Sequence, residues 1–475
     1  VSVRKIAYNT LISAGARIVG LALSLITLGY ITRYLGTSQF GQYSTVLAFL
    51  YLFVVFADLG LYSICVREIS KPGADEKKIA SNAFTIRLFF GLFVFALAPL
   101  IGLLFPYPGS VKTGILVGAS GYWFLSSQQV LIGVFQKYLK MDRIALAEIS
   151  SRIANLILVI VVIWKKLGFL YIIAAFCGGP AVSFIITFLF ARKYILIKLS
   201  FDFAYWKKIL KESLPLGFAS ILTMVYFKLD TVMLSIFKSQ TDVGIYGLAY
   251  KILESLLFFP AVLVGVVMPL MSKHALADPA KFKKITQKTL DILIVLIAPL
   301  IAAVFCLAPR IILFISGPEY LQAAAVLDVL IIATGIIYIA VLLSNMIIAI
   351  EKQKTLIYIY SFGAVFNIIA NLIFIPKYSY FGAAATTLAT ELLVTICMVI
   401  ALWRVQKNIP SFGLIWKGAL AASVMALAIF WLANLNLFII IILASLVYFS
   451  ALYLLGGFTF KDILLLIKNS STSSP

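Results

Sequence analysis

Lys228 and Asp230 sit in the stretch YFKLDTVMLS, inside a run that carries no other charge from Leu214 to Phe237. A carboxylate in such a run can take up H+ or Na+, and a lysine can meet a phosphate or a sugar acid. The two signs together can also form ion pairs between helices. Residues two apart lie about 200° round a helix, so Lys228 and Asp230 cannot face each other and each needs another partner. Further charges stand in apolar surroundings, namely Arg17, Asp58, Arg87, Glu148, Arg152, Lys251, Glu254 and Glu391. What they can do depends on the elements that carry them.

The chain has 475 residues, of which 63% are hydrophobic and only 12% charged, and a mean hydropathy of +1.08. That is more apolar surface than a soluble core hides, and it predicts an all-α polytopic membrane protein. Apolar runs long enough to cross about 30 Å of hydrocarbon as helix lie near 6–30, 41–64, 80–104, 111–134, 145–164, 168–190 and 213–237. Others lie near 244–271, 286–308, 322–350, 355–376, 380–403, 414–433 and 437–456. Fourteen spans, an even number, place both termini on one side. Basic residues beside short loops stay in the cytoplasm. With the N-terminus inside, the inner segments hold 27 of the 39 basic residues and the outer segments seven, the other five lying within helices. The expectation is a multi-pass protein of the cell membrane with both termini cytoplasmic. Its net charge of +21 then reads as topology signal and attraction to anionic lipid headgroups, and no nucleic-acid partner is implied.

Cys65, Cys177, Cys306 and Cys397 fall within or at the edge of apolar spans without a C-x-x-C pair, and His274 is the one histidine. No metal, haem or other cofactor is expected. The first span is too long for a signal-peptide core and is read as a retained helix. The longest polar stretch, 191–212, repeats Leu199, Phe203, Trp206 and Leu210 at helical spacing opposite lysines, the pattern of a helix lying in the membrane interface. The segment FTFKDILLLIK near the end has a similar pattern, and the final NSSTSSP has the composition of a disordered tail.

The chain also repeats itself. LGTSQFGQYSTVLAF follows the first span and KSQTDVGIYGLAYKI the seventh, so Gly41-x-Tyr43 recurs as Gly244-x-Tyr246 at an offset of 203 residues. The lysine-rich inner loops PGADEKKIA and LADPAKFKKIT match in turn. A repeat of six spans enters the membrane from the same side each time, which predicts two parallel six-helix lobes. The expected organisation is an N-terminal lobe over 1–200, a C-terminal lobe over 201–408, and two additional helices with a tail over 409–475. No G-x-x-x-x-G-K-[ST] phosphate loop is present, and no long outer loop carries the acids and bases an enzyme of this kind needs. A secondary transporter, not an enzyme, is the expectation.

Several stretches resemble a family: RYLGTSQFGQYS after the first span, FADLG at 56–60, LPLGFASILTMVYFKLDTVML in the seventh, VGIYGLAYKI opening the eighth, PLMSK closing it, and YFGAAATTLATE opening the twelfth. They are similar to the Wzx-type polysaccharide flippases of the multidrug/oligosaccharidyl-lipid/polysaccharide exporter superfamily. The resemblance implies that a polyprenyl-diphosphate-linked oligosaccharide moves from the inner to the outer leaflet by alternating access. It also implies membrane lipids and other polysaccharide assembly proteins as partners, and a central cavity lined chiefly by the first, second, seventh and eighth spans. A lipid II-type flippase and a multidrug or cation antiporter of the same superfamily stay open as alternatives.

In antiparallel spans joined by a short loop, equal distance from the turn means equal depth. By that register Asp230 is level with Lys251, Lys228 with Glu254, Asp58 with Arg87, and Glu391 with Asn367, while Glu148 and Arg152 form an i, i+4 pair on one helix. These charges are either structural pairs or, for Asp58, Asp230, Glu254 and Glu391, candidates for H+ or Na+ coupling and gating. Lys228 and Lys251 are candidates for contact with substrate anions. Glycines and prolines at 215, 217, 244, 247 and 269 would permit bending. Arg17 has no acid at its level in an adjoining span. It lies about 16 Å into the first span, where an unpaired charge costs about 2.5–3.5 kcal/mol. A lipid-linked sugar supplies an anion, and a guanidinium can make two parallel hydrogen bonds to its phosphate. The other reading pairs Arg17 with an acid from a distant helix.

Overall fold

The computed structural model describes residues 3–58, 60–138, 140–406 and 410–457, with side chains from Gly15 onward except at 215–227 and 406. The C-terminal stretch expected at the interface, and the tail after it, lie outside the described residues. The described chain is helical and contains no strand. Its helices are α1 (Val3–Asp58), α2 (Leu61–Ile69), α3 (Glu76–Leu103), α4 (Gly109–Tyr138), α5 (Met141–Trp164), α6 (Phe169–Ala191) and α7 (Phe203–Phe237). They continue as α8 (Gln240–Leu256), α9 (Phe258–His274), α10 (Pro279–Ser316), α11 (Ala323–Ala349), α12 (Gln353–Gln406), α13 (Leu414–Trp431) and α14 (Leu437–Leu454).

Among the described residues, ten helical segments are long and apolar enough to cross a membrane. Two of them are double. Gly15–Asp58 has 44 residues and Gln353–Val405 has 53, about 66 and 80 Å if straight, more than twice the hydrocarbon thickness. Each is broken once, α1 at Gly36 (φ 66°, ψ 177°) and α12 at Ser379 (φ 51°, ψ −131°). Gly36 occupies a backbone region that is essentially open to glycine alone. In α12 the chain folds back at the break. A Cβ on Gly382 would fall on the carbonyl oxygen of Phe374, which a straight helix would hold about 12 Å away. With the two arms of α1 and of α12 counted separately, α4 and α7, of 30 and 35 residues, added, and α8 and α9 taken as one span, the helices provide fourteen crossings among the described residues.

The chain packs as two compact units, Val1–Gly247 and Leu248–Pro475. The boundary of packing falls inside α8, whereas the sequence repeat divides near residue 200. The start of α8 is held to the first unit by close backbone approach. A Cβ on Gly41 would fall on the carbonyl of Gln240, and one on Gly244 would fall on the carbonyl of Thr37. Thr45 Oγ1 lies 2.8 Å from Gln240 Oε1 across the same crossing. Gly247 packs on Ser44, where a Cβ would come within 2.7 Å of its hydroxyl. Gly244 and Gly247, which the sequence marks as bending points, therefore serve close packing. Gly41→Val is expected to cost about 1–3 kcal/mol, the range for overpacking against atoms that cannot move aside. Thermal unfolding of the purified protein checks this, and an unshifted midpoint would contradict the packing.

Residues 192–202 differ from the interfacial helix expected there. They form a non-helical strap along α3, and α7 begins only at Phe203. The backbone N–H groups of Lys198, Ser200 and Asp202 donate to Ser81 Oγ, Thr85 Oγ1 and Asn82 Oδ1 at 3.2, 2.9 and 3.2 Å. Three acceptors on one face of α3 satisfy alternate donors of an extended segment, so the strap needs no helix of its own. Asp202 then caps α7 by accepting from the Tyr205 N–H at 3.0 Å. Lys78, bonded to its carboxylate at 2.8 Å, holds the Asp202 carboxyl below the usual carboxylate range.

In the second unit, α9, α10, α11 and α12 enclose a core that includes Leu293, Tyr338, Met346 and Met398. Helices α13 and α14 join it against α10, where the Tyr448 hydroxyl donates to the Val295 carbonyl at 3.1 Å.

Candidate functional site

Arg17 lies near the middle of the first arm of α1. Its side chain is exposed and makes no ion pair or hydrogen bond among the described residues. The exposed apolar stripe of this arm is Ile18, Val19, Ala22, Ile26 and Tyr30. Ile26 is nine residues beyond Arg17, about 180° round the helix, so Arg17 points away from that stripe. Ser24 and Leu28 share its side and are half-buried.

Helix α5 brings a second arginine beside it. A Cβ on Gly20, one turn above Arg17, would lie 3.9 Å from Arg152 Cγ. Arg152 is exposed, and it makes no ion pair with Glu148 or with any other described carboxylate, contrary to the i, i+4 pair expected from spacing. The spacing permits that pair, but the Arg152 stem lies along α1 instead.

Asp58 and Arg87 meet as their register requires. The Arg87 guanidinium, 1% exposed, donates to Asp58 Oδ1 at 2.5 Å, to the Ala57 carbonyl at 2.7 Å and to the Ser126 carbonyl at 3.0 Å. It ties α1, α3 and α4 together. Asp230, 2% exposed, accepts from the Tyr246 hydroxyl at 3.3 Å, so the tyrosine of the repeated G-x-Y touches the carboxylate of α7. In the sequence Tyr246 stands out only as part of the repeated G-x-Y. Its depth near that of Asp230 was the signal available. Lys228 stands 5.5 Å from the centre of the Tyr51 ring, a cation-π contact.

In the second unit Lys251 pairs at 2.8 Å with Glu254, three residues on along the same helix. Lys228 and Asp230, their partners by register, belong to the first unit. Glu391 is buried in α12 beside a polar cluster. Asn367 Nδ2 donates to Thr390 Oγ1 at 3.3 Å and Asn371 Nδ2 to Asn367 Oδ1 at 3.0 Å. The two arms of α12 thus run antiparallel in the register that sets Asn367 level with Glu391. The same unit contains an apolar cavity of about 450 Å³ between α10, α11 and α13, lined by residues such as Ile297, Ile301, Gly335, Ile339 and Ala422. Small residues facing isoleucines create it, and periodicity alone does not reveal which faces those are.

Residues 6–275 match the family model described as polysaccharide biosynthesis protein. The chain belongs to that family. It is a flippase or transporter of the multidrug/oligosaccharidyl-lipid/polysaccharide exporter superfamily, and residues 215–373 also match the model described as MatE. Family members are membrane transporters and not enzymes. An uncharacterized membrane protein of Methanocaldococcus jannaschii is 24% identical over 464 residues, covering 89% of each chain. The Haloferax volcanii protein named "Probable low-salt glycan biosynthesis flippase Agl15" is 21% identical over 78% of each chain. The fold matches the structure titled "Lipid II flippase MurJ, inward closed conformation" with a TM-score of 0.77 at 18% identity, over 94% of this chain and 99% of that one. The family's multi-pass helical fold is the one described above.

Proposed function

We propose that the chain carries a polyprenyl-diphosphate-linked oligosaccharide, a polysaccharide repeat unit, from the inner to the outer leaflet of the cell membrane. It does so by alternating access between its six-helix halves, 1–200 and 201–408, with both termini in the cytoplasm and with H+ or Na+ as the driving ion. The observation that carries this reading is Arg17, a guanidinium near the centre of a span with no ion pair among the described residues, and therefore suited to an anion brought by the substrate. The apolar cavity of the second unit offers a hydrocarbon chain a seat of matching chemistry. Relatives whose names specify glycan flipping agree with it. Lys228 and Lys251 are further candidates for the substrate's anionic groups, and Asp58, Asp230, Glu254 and Glu391 for ion coupling or gating.

A second reading, export of organic cations, is favoured by the MatE match over 215–373. Such substrates call for open carboxylates, whereas Asp58 and Glu254 are each held by a cation. The test is transfer of a polyprenyl-diphosphate oligosaccharide across sealed proteoliposomes, with and without a pH or Na+ gradient. Transfer that responds to a gradient is expected. Export of an organic cation with no lipid transfer would replace this reading by the second.

A further inference from the structure

Arg152 stands at the centre of α5, eleven residues from Met141 and twelve from Trp164. A charge at mid-span is costly unless water, a counterion or a ligand meets it. Its direction is away from the apolar exposed side of α5, which carries Leu146, Ile153, Ile157, Leu158, Ile160, Val161 and Trp164, each about 80° or more from Arg152 round the helix. It shares its side with Asn155, which donates to the Ala175 carbonyl of α6 at 3.0 Å, and with buried Val159. That side packs against neighbouring helices, and there the Arg152 stem meets α1 at Gly20. Arg17 is one turn away on α1, where Cβ atoms three residues apart are separated by about 5–6 Å. Two guanidinium groups from two helices therefore come to neighbouring levels, and neither has an ion pair or hydrogen bond among the described residues. Glu148, one turn from Arg152 and half-buried, makes no ion pair with either.

We infer that Arg17 and Arg152 together form one anion site of two positive charges, and that this site selects a diphosphate over a monophosphate linkage between lipid and sugar. The inference rests on the flippase reading above. A lipid-phosphate-sugar diester carries one negative charge, which a single guanidinium balances. A lipid-diphosphate-sugar carries two, on adjacent phosphorus atoms, and two guanidinium forks approaching from α1 and α5 balance both. Gly20 keeps the space between the helices open for the Arg152 stem, since a larger side chain would press on it.

The test compares transfer of two lipids with the same chain and sugar, one linked by diphosphate and one by monophosphate, in proteoliposomes of the full chain. The native protein is expected to favour the diphosphate about tenfold or more, the scale of one charge-assisted contact. Arg152→Gln is expected to lose that preference while still moving the monophosphate lipid, and Arg152→Lys to keep part of it. Equal loss of both substrates in Arg152→Gln, or an unchanged preference, overturns the inference. A second measurement needs no variant. Phenylglyoxal labelling of the native chain, mapped by mass spectrometry, is expected to be blocked at both Arg17 and Arg152 by a sugar linked to farnesol through a diphosphate and far less by the same sugar linked to farnesol through a single phosphodiester, with exposed Arg404 labelled throughout. Protection of Arg17 alone overturns the two-charge site. A native chain that moves both lipids equally refutes this inference and leaves the flippase reading standing, whereas one that moves neither refutes both.

Discussion

Arg17→Ala is expected to abolish transfer of the lipid-linked oligosaccharide while leaving the protein as stable as the native chain or more so. The two halves of that expectation have one cause. An exposed guanidinium at mid-span without an ion pair contributes nothing to holding helices together, and its insertion costs about 2.5–3.5 kcal/mol. Alanine removes that cost. It also removes the two parallel hydrogen bonds that a planar guanidinium can give a phosphate. Lysine keeps the charge without the fork, so Arg17→Lys is expected to retain a measurable fraction of transfer. Transfer and thermal unfolding, measured on the same reconstituted samples, separate the outcomes. Full activity of Arg17→Ala would remove Arg17 from the substrate path, and loss of stability alongside loss of transfer would make it a structural residue.

Arg87 is the opposite case. Arg87→Met is expected to destabilise the protein by about 3 kcal/mol, the lower end of the scale for breaking a buried ion pair, since Arg87 is buried and Asp58 only half-buried. The remaining Asp58 would keep a carboxylate facing the cavity left by the guanidinium, and α1, α3 and α4 would lose the residue that bonds to all three. The double variant Arg87→Met, Asp58→Asn is expected to recover a large part of the loss, because no uncompensated charge is left behind. Unfolding midpoints of the two singles and the double in detergent form the cycle that checks it. Additive losses would mean that the pair acts as two separate residues.

The contrast between these arginines marks how much the sequence discloses. Antiparallel spans with a short turn have a fixed register, so the depth of Asp58 against Arg87 and of Asn367 against Glu391 follows from counting residues away from the turn, and the structure keeps both. Hydropathy likewise locates the spans, because hydrocarbon thickness fixes their length. What counting cannot find is a choice among partners of equal reach. Arg152 leaves Glu148 for α1, a choice that depends on which helix packs alongside, and 132 residues of chain separate Gly20 from Arg152. The strap at 192–202 was hidden for a related reason. Of the residues at helical spacing only Leu199 lies in it, the others belonging to α7, and its donors find acceptors on α3 that no local pattern announces.

The crossing at Gly41 and Gly244 has a wider meaning. Thr37 and Gln240, and Gly41 and Gly244, occupy corresponding places in the two repeats, and each glycine rests on the carbonyl of the other repeat's preceding turn. Such a contact is isologous, the kind made by two identical subunits about a two-fold axis. A side chain at either glycine would press on the backbone of the other's preceding turn, so the two positions cannot be substituted independently of each other.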